Sequence, residues 1–259
     1  MPVMTHNPAE VVTYGGFVST LDLEAMFEGG NANTPSRQVL LVGDLATSAC
    51  MLLPVAKTLQ EDFDVEKVYG LTFHQAMTFE DTLLRHLAQG SHFLGHGAAA
   101  IALANTNLNG LKSATVIAGP ETQPVSNFIK TFYGLLRIDP QIIERTDRCR
   151  PDDTYDWDLH FKWLEILRHP LFTRSMLTIA AGISSLDLLA KAKVMYNVPA
   201  VSVSMEHDEY RPDPTKKMVE RADEWGVVRR LVTGDEATHD FLLANPPLAL
   251  TRAEFRTQI

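Results

Sequence analysis

Three short segments carry residue types that could do chemistry together. The first is Ser91-His92-Phe93-Leu94-Gly95-His96-Gly97-Ala98-Ala99-Ala100, an apolar strand that runs into a Gly-His-Gly turn with a small-residue helix directly behind it. Strand, sharp turn and helix are the setting of the motif Gly-x-Ser-x-Gly, which lifts an attacking serine hydroxyl above a sheet. The aligned residues here are Gly95-His96-Gly97-Ala98-Ala99, so Gly97 stands at the serine's position and has no side chain to acylate. The second segment, Val203-Ser204-Met205-Glu206-His207-Asp208, ends a strand in a carboxylate that could orient a histidine. The third, Thr233-Gly234-Asp235-Glu236-Ala237-Thr238-His239, follows the last strand and offers that histidine. Each segment alone also has a plain reading: a tight turn that needs positive φ, a solvated acidic turn, and a surface histidine.

The elements that must position these groups follow from periodicity. Apolar strands are expected at Gln38–Val42, Val68–Thr72, His92–Leu94, Ala114–Ala118, Ala200–Ser204 and Val227–Thr233. Helical patterns lie between them: Ser48 to about Asp62, Phe79–Ala88, Ala98–Ala104, Ser185–Lys193, Pro214–Trp225 and a closing helix from about Asp240. Strands that alternate with helices imply a mostly parallel sheet covered on both faces. Ahead of them, Val11–Tyr14 and Phe17–Thr20 flank Gly15-Gly16 as a candidate hairpin, followed by a Gly/Asn/Pro-rich connector. The rhythm breaks over 121–182, where aromatic-rich helical segments are punctuated by Pro140, Pro151 and Pro170. The expected organisation is a core of 1–120 and 183–259, with 121–182 inserted as a helical cap over the carboxyl edge of the sheet.

Composition narrows the function classes. A length of 259 residues with 45% hydrophobic and 21% charged residues is that of a globular chain with a substantial core. A net charge of −9 disfavours nucleic acid as a partner, because phosphates require a basic patch. No apolar run is long enough for a membrane span, and the N-terminus lacks the order of a signal peptide, so cytoplasmic residence is expected. Two cysteines, Cys50 and Cys149, are too few for a disulfide framework or a cysteine metal site. Glu206-His207-Asp208 is a weak metal candidate, since neighbours on an extended segment point to opposite sides. No glycine-rich dinucleotide or nucleotide-phosphate motif occurs, and no cofactor is expected.

The order elbow, acid, histidine, each placed after a strand, resembles the α/β-hydrolase superfamily. Val198-Pro199-Ala200 leading to Asp208, and Thr238-His239-Asp240 with Asn245-Pro246, are similar to its acid strand and its histidine loop. The resemblance covers roughly 37–119 and 183–250. It implies the α/β-hydrolase fold, a His239–Asp208 pair, and an oxyanion hole built from the backbone N–H of Leu45 or Ala46 and that of Ala98. Two departures stand out: Gly97 at the elbow, and Gly43-Asp44-Leu45-Ala46 where the family usually has His-Gly. An Asp44 turned toward the hole would oppose an oxyanion, or would itself serve as a base. His96 is expected to be structural. Ser48 and Cys50, at the start of the first core helix, are the possible pocket groups for a displaced nucleophile.

Three functions are compatible with this pattern. In the first, the chain is a cofactor-independent enzyme without a serine nucleophile. His239, oriented by Asp208, would activate water or take a proton from a small carbonyl or acyl compound. In the second, it is a catalytically silent relative that binds a ligand or partner. In the third, the nucleophile has moved to Ser48 or Cys50. Serine-free relatives of the first two kinds exist within the superfamily.

Overall fold

The protein is described here from a computed structural model covering residues 3–4, 27–28, 37–44, 47, 49–78, 81–119, 185–208, 220 and 223–259. Its strands are β1 (Val3–Met4), β2 (Phe27–Glu28), β3 (Gln38–Val42), β4 (Lys67–Leu71), β5 (Ser91–His96), β6 (Ser113–Ile117), β7 (Ala200–Met205) and β8 (Val228–Val232). They form one sheet in the order β1-β2-β4-β3-β5-β6-β7-β8. From β4 to β8 all neighbours are parallel, while β2 lies antiparallel to both β1 and β4.

The helices are α1 (Ala49–Phe63), α2 (Phe73–Thr78), α3 (Asp81–Ala88), α4 (Ala99–Asn105), α5 (Ser185–Tyr196), α6 (Phe241–Ala244) and α7 (Pro246–Arg252). Successive side chains of a strand face opposite ways, so each central strand feeds two cores. Leu40, Val42 and Phe93 pack with residues of α2 to α5, including Leu87, Ile101 and Leu189. Val39, Leu41 and Leu94 pack on the other face with Leu52, Leu59, Phe241 and Leu250. Cover on both faces leaves β5 and β6 buried at every residue, the polar Ser91, His92, His96, Ser113 and Thr115 included.

The expected core strands lie within a residue or two of the observed ones. β5 is longer than anticipated, and it carries His96 into the ladder, where it pairs with Ile117. The helix α2 was not anticipated. The closing helix is two helices, because Asn245, which precedes Pro246, takes φ −143° and ψ 72°. A residue before proline is pushed out of the helical region. The short β1 and β2 lie outside the anticipated hairpin, and that hairpin and the 121–182 cap fall outside the described residues, as does most of Pro214–Trp225.

The alanines of α4 have a packing cause. All residues from Ala99 to Ala104 are buried, so the helix lies flush against the sheet. A Cβ on Gly95 would come 2.8 Å from the Cβ of Ala99 and 2.6 Å from the Phe93 ring. Glycine is therefore required for the close approach that starts α4 just above the turn. Gly95→Ala is expected to destabilise the protein by roughly 1–3 kcal/mol, the usual cost of overpacking a core. Urea unfolding checks this, and an unchanged midpoint contradicts the close contact.

Candidate active site

Parallel strands deliver their following loops to one edge. Val42 of β3 pairs with Gly95 of β5, so two residues further on Asp44 and Gly97 emerge side by side. Gly97 takes φ +54°, a left-handed turn that glycine adopts without penalty. Its N–H donates to the carbonyl of Ile117 (2.9 Å), which anchors the turn to the end of β6. Beside it the Asp44 backbone is closed on Thr47: the Asp44 N–H donates to Thr47 Oγ1 (3.1 Å), and the Thr47 N–H to the Asp44 carbonyl (3.0 Å). That turn directs the Asp44 carboxylate over Gly97. A Cβ at position 97 would lie 2.1 Å from both Cγ and Oδ2 of Asp44. The carboxylate fills the volume that a side chain at the elbow would need.

The acid and histidine come from the ends of β7 and β8. The His207 N–H donates to the carbonyl of Ala237 (2.9 Å), which ties the two loops together. His239 Nδ1 lies 3.1 Å from Asp208 Oδ2. Its Nε2 lies 2.8 Å from Asp44 Oδ2, and the remaining Asp44 oxygen, Oδ1, accepts the Ala98 N–H at 2.7 Å. The imidazole is thus held between two carboxylates, with Asp208 fully enclosed and about a tenth of the Asp44 side chain exposed (10%).

With Asp208 and Asp44 both ionised, each carboxylate only accepts, so both ring nitrogens donate and His239 is an imidazolium. The electrostatics agree. Burial alone would lower the His239 pKa, but the charges and hydrogen bonds of Asp208 and Asp44 raise it well above 6.5. Burial would raise Asp44, yet the His239 hydrogen bond and charge and the Ala98 N–H bring it down to about 2. His96 is enclosed, with its Nε2 donating to the His239 carbonyl (2.9 Å) and its ring centroid 5.0 Å from that of His239. Burial first, and then the nearby His239 charge, lower its pKa and keep it neutral. Its Nδ1 has no hydrogen-bond partner among the described residues. His96 props the backbone of the histidine loop.

The sequence-derived candidates sort as follows. Asp44, Gly97, Ala98, Asp208 and His239 come together, with His96 behind them. Leu45, Ala46 and Ser48 lie outside the described residues, and Cys50 occupies the first turn of α1. The Ala98 N–H, expected to serve an oxyanion, is bound to Asp44. The sequence marks Asp44 as a residue that would oppose an oxyanion or act as a base if it faced the hole; in the structure it is the hub of the cluster. Among the described residues His96, His239 and Asp240 are spaced closely enough for a cation. Both ring nitrogens of His239 are already turned to carboxylates, which leaves that grouping a poor metal site.

The parallel sheet flanked by helices has the α/β-hydrolase fold. No protein-family model and no curated protein matches the sequence. Solved structures match in shape. A membrane phospholipase A described as a bacterial virulence factor aligns with a TM-score of 0.54 at 13% identity, over 96% of this chain and 90% of its own. A naproxen esterase from Bacillus subtilis aligns with a TM-score of 0.51 at 14% identity, over 88% and 85%. A hydrolase from Oleispira antarctica aligns with a TM-score of 0.50 at 12% identity, over 99% and 100%. These likenesses establish the fold. Among the described residues no helix is long and apolar enough to cross a membrane.

Two outcomes are expected from this geometry. Gly97→Ser alone collides with Asp44, whereas Gly97→Ser combined with Asp44→Ala frees His239 Nε2 and the Ala98 N–H for a serine. A fluorophosphonate should label position 97 in the double variant. In the single variant it should label roughly 10²-fold more slowly or worse, as for a lost general base. Equal labelling would place Asp44 elsewhere. The second outcome concerns pH. The Asp44 contribution to stability is present above 3.8 and lost as pH falls toward 2, while that of His239 is full below 6.5 and lost as pH rises through its raised pKa. Asp44→Asn should therefore cost most stability between pH 3.8 and 6.5. Thermal unfolding across pH reads this, and a loss independent of pH contradicts the ion pair.

Proposed function

We propose that the chain is a serine-free, cofactor-independent enzyme of the hydrolase type, with Asp44, His239 and Asp208 as its working groups. The observation that carries this reading is the Asp44 carboxylate in the elbow's side-chain volume, bonded to both His239 Nε2 and the Ala98 N–H. Asp208 orients and charges the ring, and His239 moves the proton. As an imidazolium the ring cannot accept a proton from water or substrate, so it becomes a base only when Asp44 is neutralised or withdrawn. Esterases with the same fold suggest a small carbonyl or acyl substrate. Such a substrate needs Asp44 to leave the Ala98 N–H before that donor can serve its own oxyanion.

A second reading, a catalytically silent protein that binds a ligand or partner, draws on the same contacts, because both groups that would polarise a substrate are already engaged. The two readings part on turnover. With a panel of small esters and lactones, His239→Ala and Asp44→Asn are each expected to lower kcat by roughly 10²–10⁴-fold. Ser48→Ala and Cys50→Ala are expected to leave it within a few-fold. Turnover lost in Cys50→Ala or Ser48→Ala but retained in His239→Ala would transfer the role to a displaced nucleophile. An absence of turnover across the panel favours the silent reading.

A further inference from the structure

We propose that Ser113 is a second nucleophile, at the edge of the sheet opposite the Asp44 cluster, and that it takes the acyl group of a small acyl phosphate. The pair that carries this stands at the amino ends of the strands. His92 and Ser113 are register partners on β5 and β6, and His92 Nδ1 lies 2.8 Å from Ser113 Oγ. The Gln258 backbone carbonyl accepts a hydrogen bond from the same ring. A neutral imidazole donates from one nitrogen and accepts at the other. With Nε2 donating to that carbonyl, Nδ1 is the acceptor, and the Ser113 hydroxyl donates its proton to it. Nucleophile, base and a third group that fixes the base are the parts of an activated serine, here with a backbone carbonyl as the third.

The third group is firmly held. The Gln258 N–H donates to the carbonyl of Phe255 (2.9 Å), at the start of the 3₁₀ turn Phe255–Thr257. The Phe255 ring is buried and meets the Phe63 ring edge-on, with 6.2 Å between centroids. The Gln258 side chain also supplies an unused donor. Its Oε1 accepts from the Thr115 hydroxyl, while its Nε2 is buried and, among the described residues, has no hydrogen-bond partner. Thr115 follows Ser113 on the same face of β6, roughly 7 Å further along the strand. A buried N–H without an acceptor is rare in a folded protein, and an oxyanion forming beside Ser113 would satisfy it.

The base is neutral and its surroundings are cationic. Burial first, and then the charges of Lys112 and Arg37, lower the His92 pKa to about 4, so at neutral pH its lone pair is available. Arg37 precedes β3 and Lys112 precedes β6, which puts both at the same edge as the pair. Two cations beside a neutral base favour an acyl donor whose leaving group is a phosphate. His92 is 8% exposed and Ser113 4%, whereas Ser91 and Thr115 are wholly enclosed, so the edge admits a small donor.

The Ser113 oxygen bonds to the acyl carbon as its proton passes to His92 Nδ1, and the carbonyl electron pair moves onto the oxygen that meets Gln258 Nε2. That oxyanion collapses and the bond from carbon to the phosphate oxygen breaks. Phosphate leaves with the electron pair and takes the proton from Nδ1. The chain gains one acyl ester, and inorganic phosphate is released.

The test uses acetyl phosphate with the full-length chain. Peptide mass spectrometry should find one acetyl group on Ser113, and none at that position in Ser113→Ala. His92→Gln should slow the labelling by roughly 10²–10⁴-fold, as for a lost general base, and Gln258→Leu by roughly 10²–10³-fold, as for a lost oxyanion donor. Lys112→Gln should raise the acetyl phosphate concentration that gives half the maximal rate. In the wild type, nitrogen NMR should show His92 neutral at neutral pH with its proton on Nε2, a reading that needs no variant to fold. Acetyl groups on lysines alone, a phosphoryl group on Ser113 in place of the acetyl, equal labelling in His92→Gln, or a His92 proton on Nδ1 overturns the proposal. Labelling of Ser113 should persist in His239→Ala, which separates this inference from the proposed function. Its loss there, with the urea unfolding midpoint unchanged, would also overturn it.

Discussion

The site turns on one carboxylate. Asp44 is buried at the ends of the strands, where an unpaired anion would lose most of its hydration at severe cost. It remains ionised because two donors meet it, the Ala98 N–H on one oxygen and the His239 ring on the other. The second donor is charged because a second carboxylate, Asp208, sits on its far side. Removing any one member leaves a neighbour buried without its partner. The cluster is therefore coupled, and its protonation states belong to the set more than to single residues.

The surrounding fold supplies the constraints that make this arrangement possible. The parallel register of β3 and β5 places Asp44 level with Gly97. The absence of a side chain at 97, together with its left-handed turn, leaves room for the carboxylate. The Thr47 turn aims it, and the enclosed His96 holds the backbone of His239. The glycine at the elbow has thus a steric consequence beyond the loss of a hydroxyl. An intruding side chain takes over both the contacts that a serine would make and the donor that its substrate would need.

Much of this frame was legible in the sequence, because parallel strands buried on both faces produce apolar runs that stand out between helices. Asp208 and His239 could be picked out by their place after strands, a local signal. The direction of Asp44 was not legible. Its orientation depends on a turn closed by Thr47 and on a neighbour, Gly97, that lies 53 positions away across the sheet, and no local pattern records that contact. The register could have found it, since pairing Val42 with Gly95 puts Asp44 and Gly97 abreast. The two-residue strands β1 and β2 are too short for any periodicity to mark them. The division between α6 and α7, by contrast, is written in Asn245-Pro246, because a residue before proline leaves the helical region.

The protonation of His239 tests the account most directly. Nitrogen NMR of the labelled ring, followed across pH in the wild type and in Asp44→Asn, distinguishes an imidazolium from either neutral tautomer. The account predicts both ring nitrogens protonated in the wild type at pH 6.5 and well above it, with the titration moving to lower pH once Asp44 is neutralised. A ring that is neutral at pH 6.5 in the wild type, or a titration unmoved by Asp44→Asn, would contradict it.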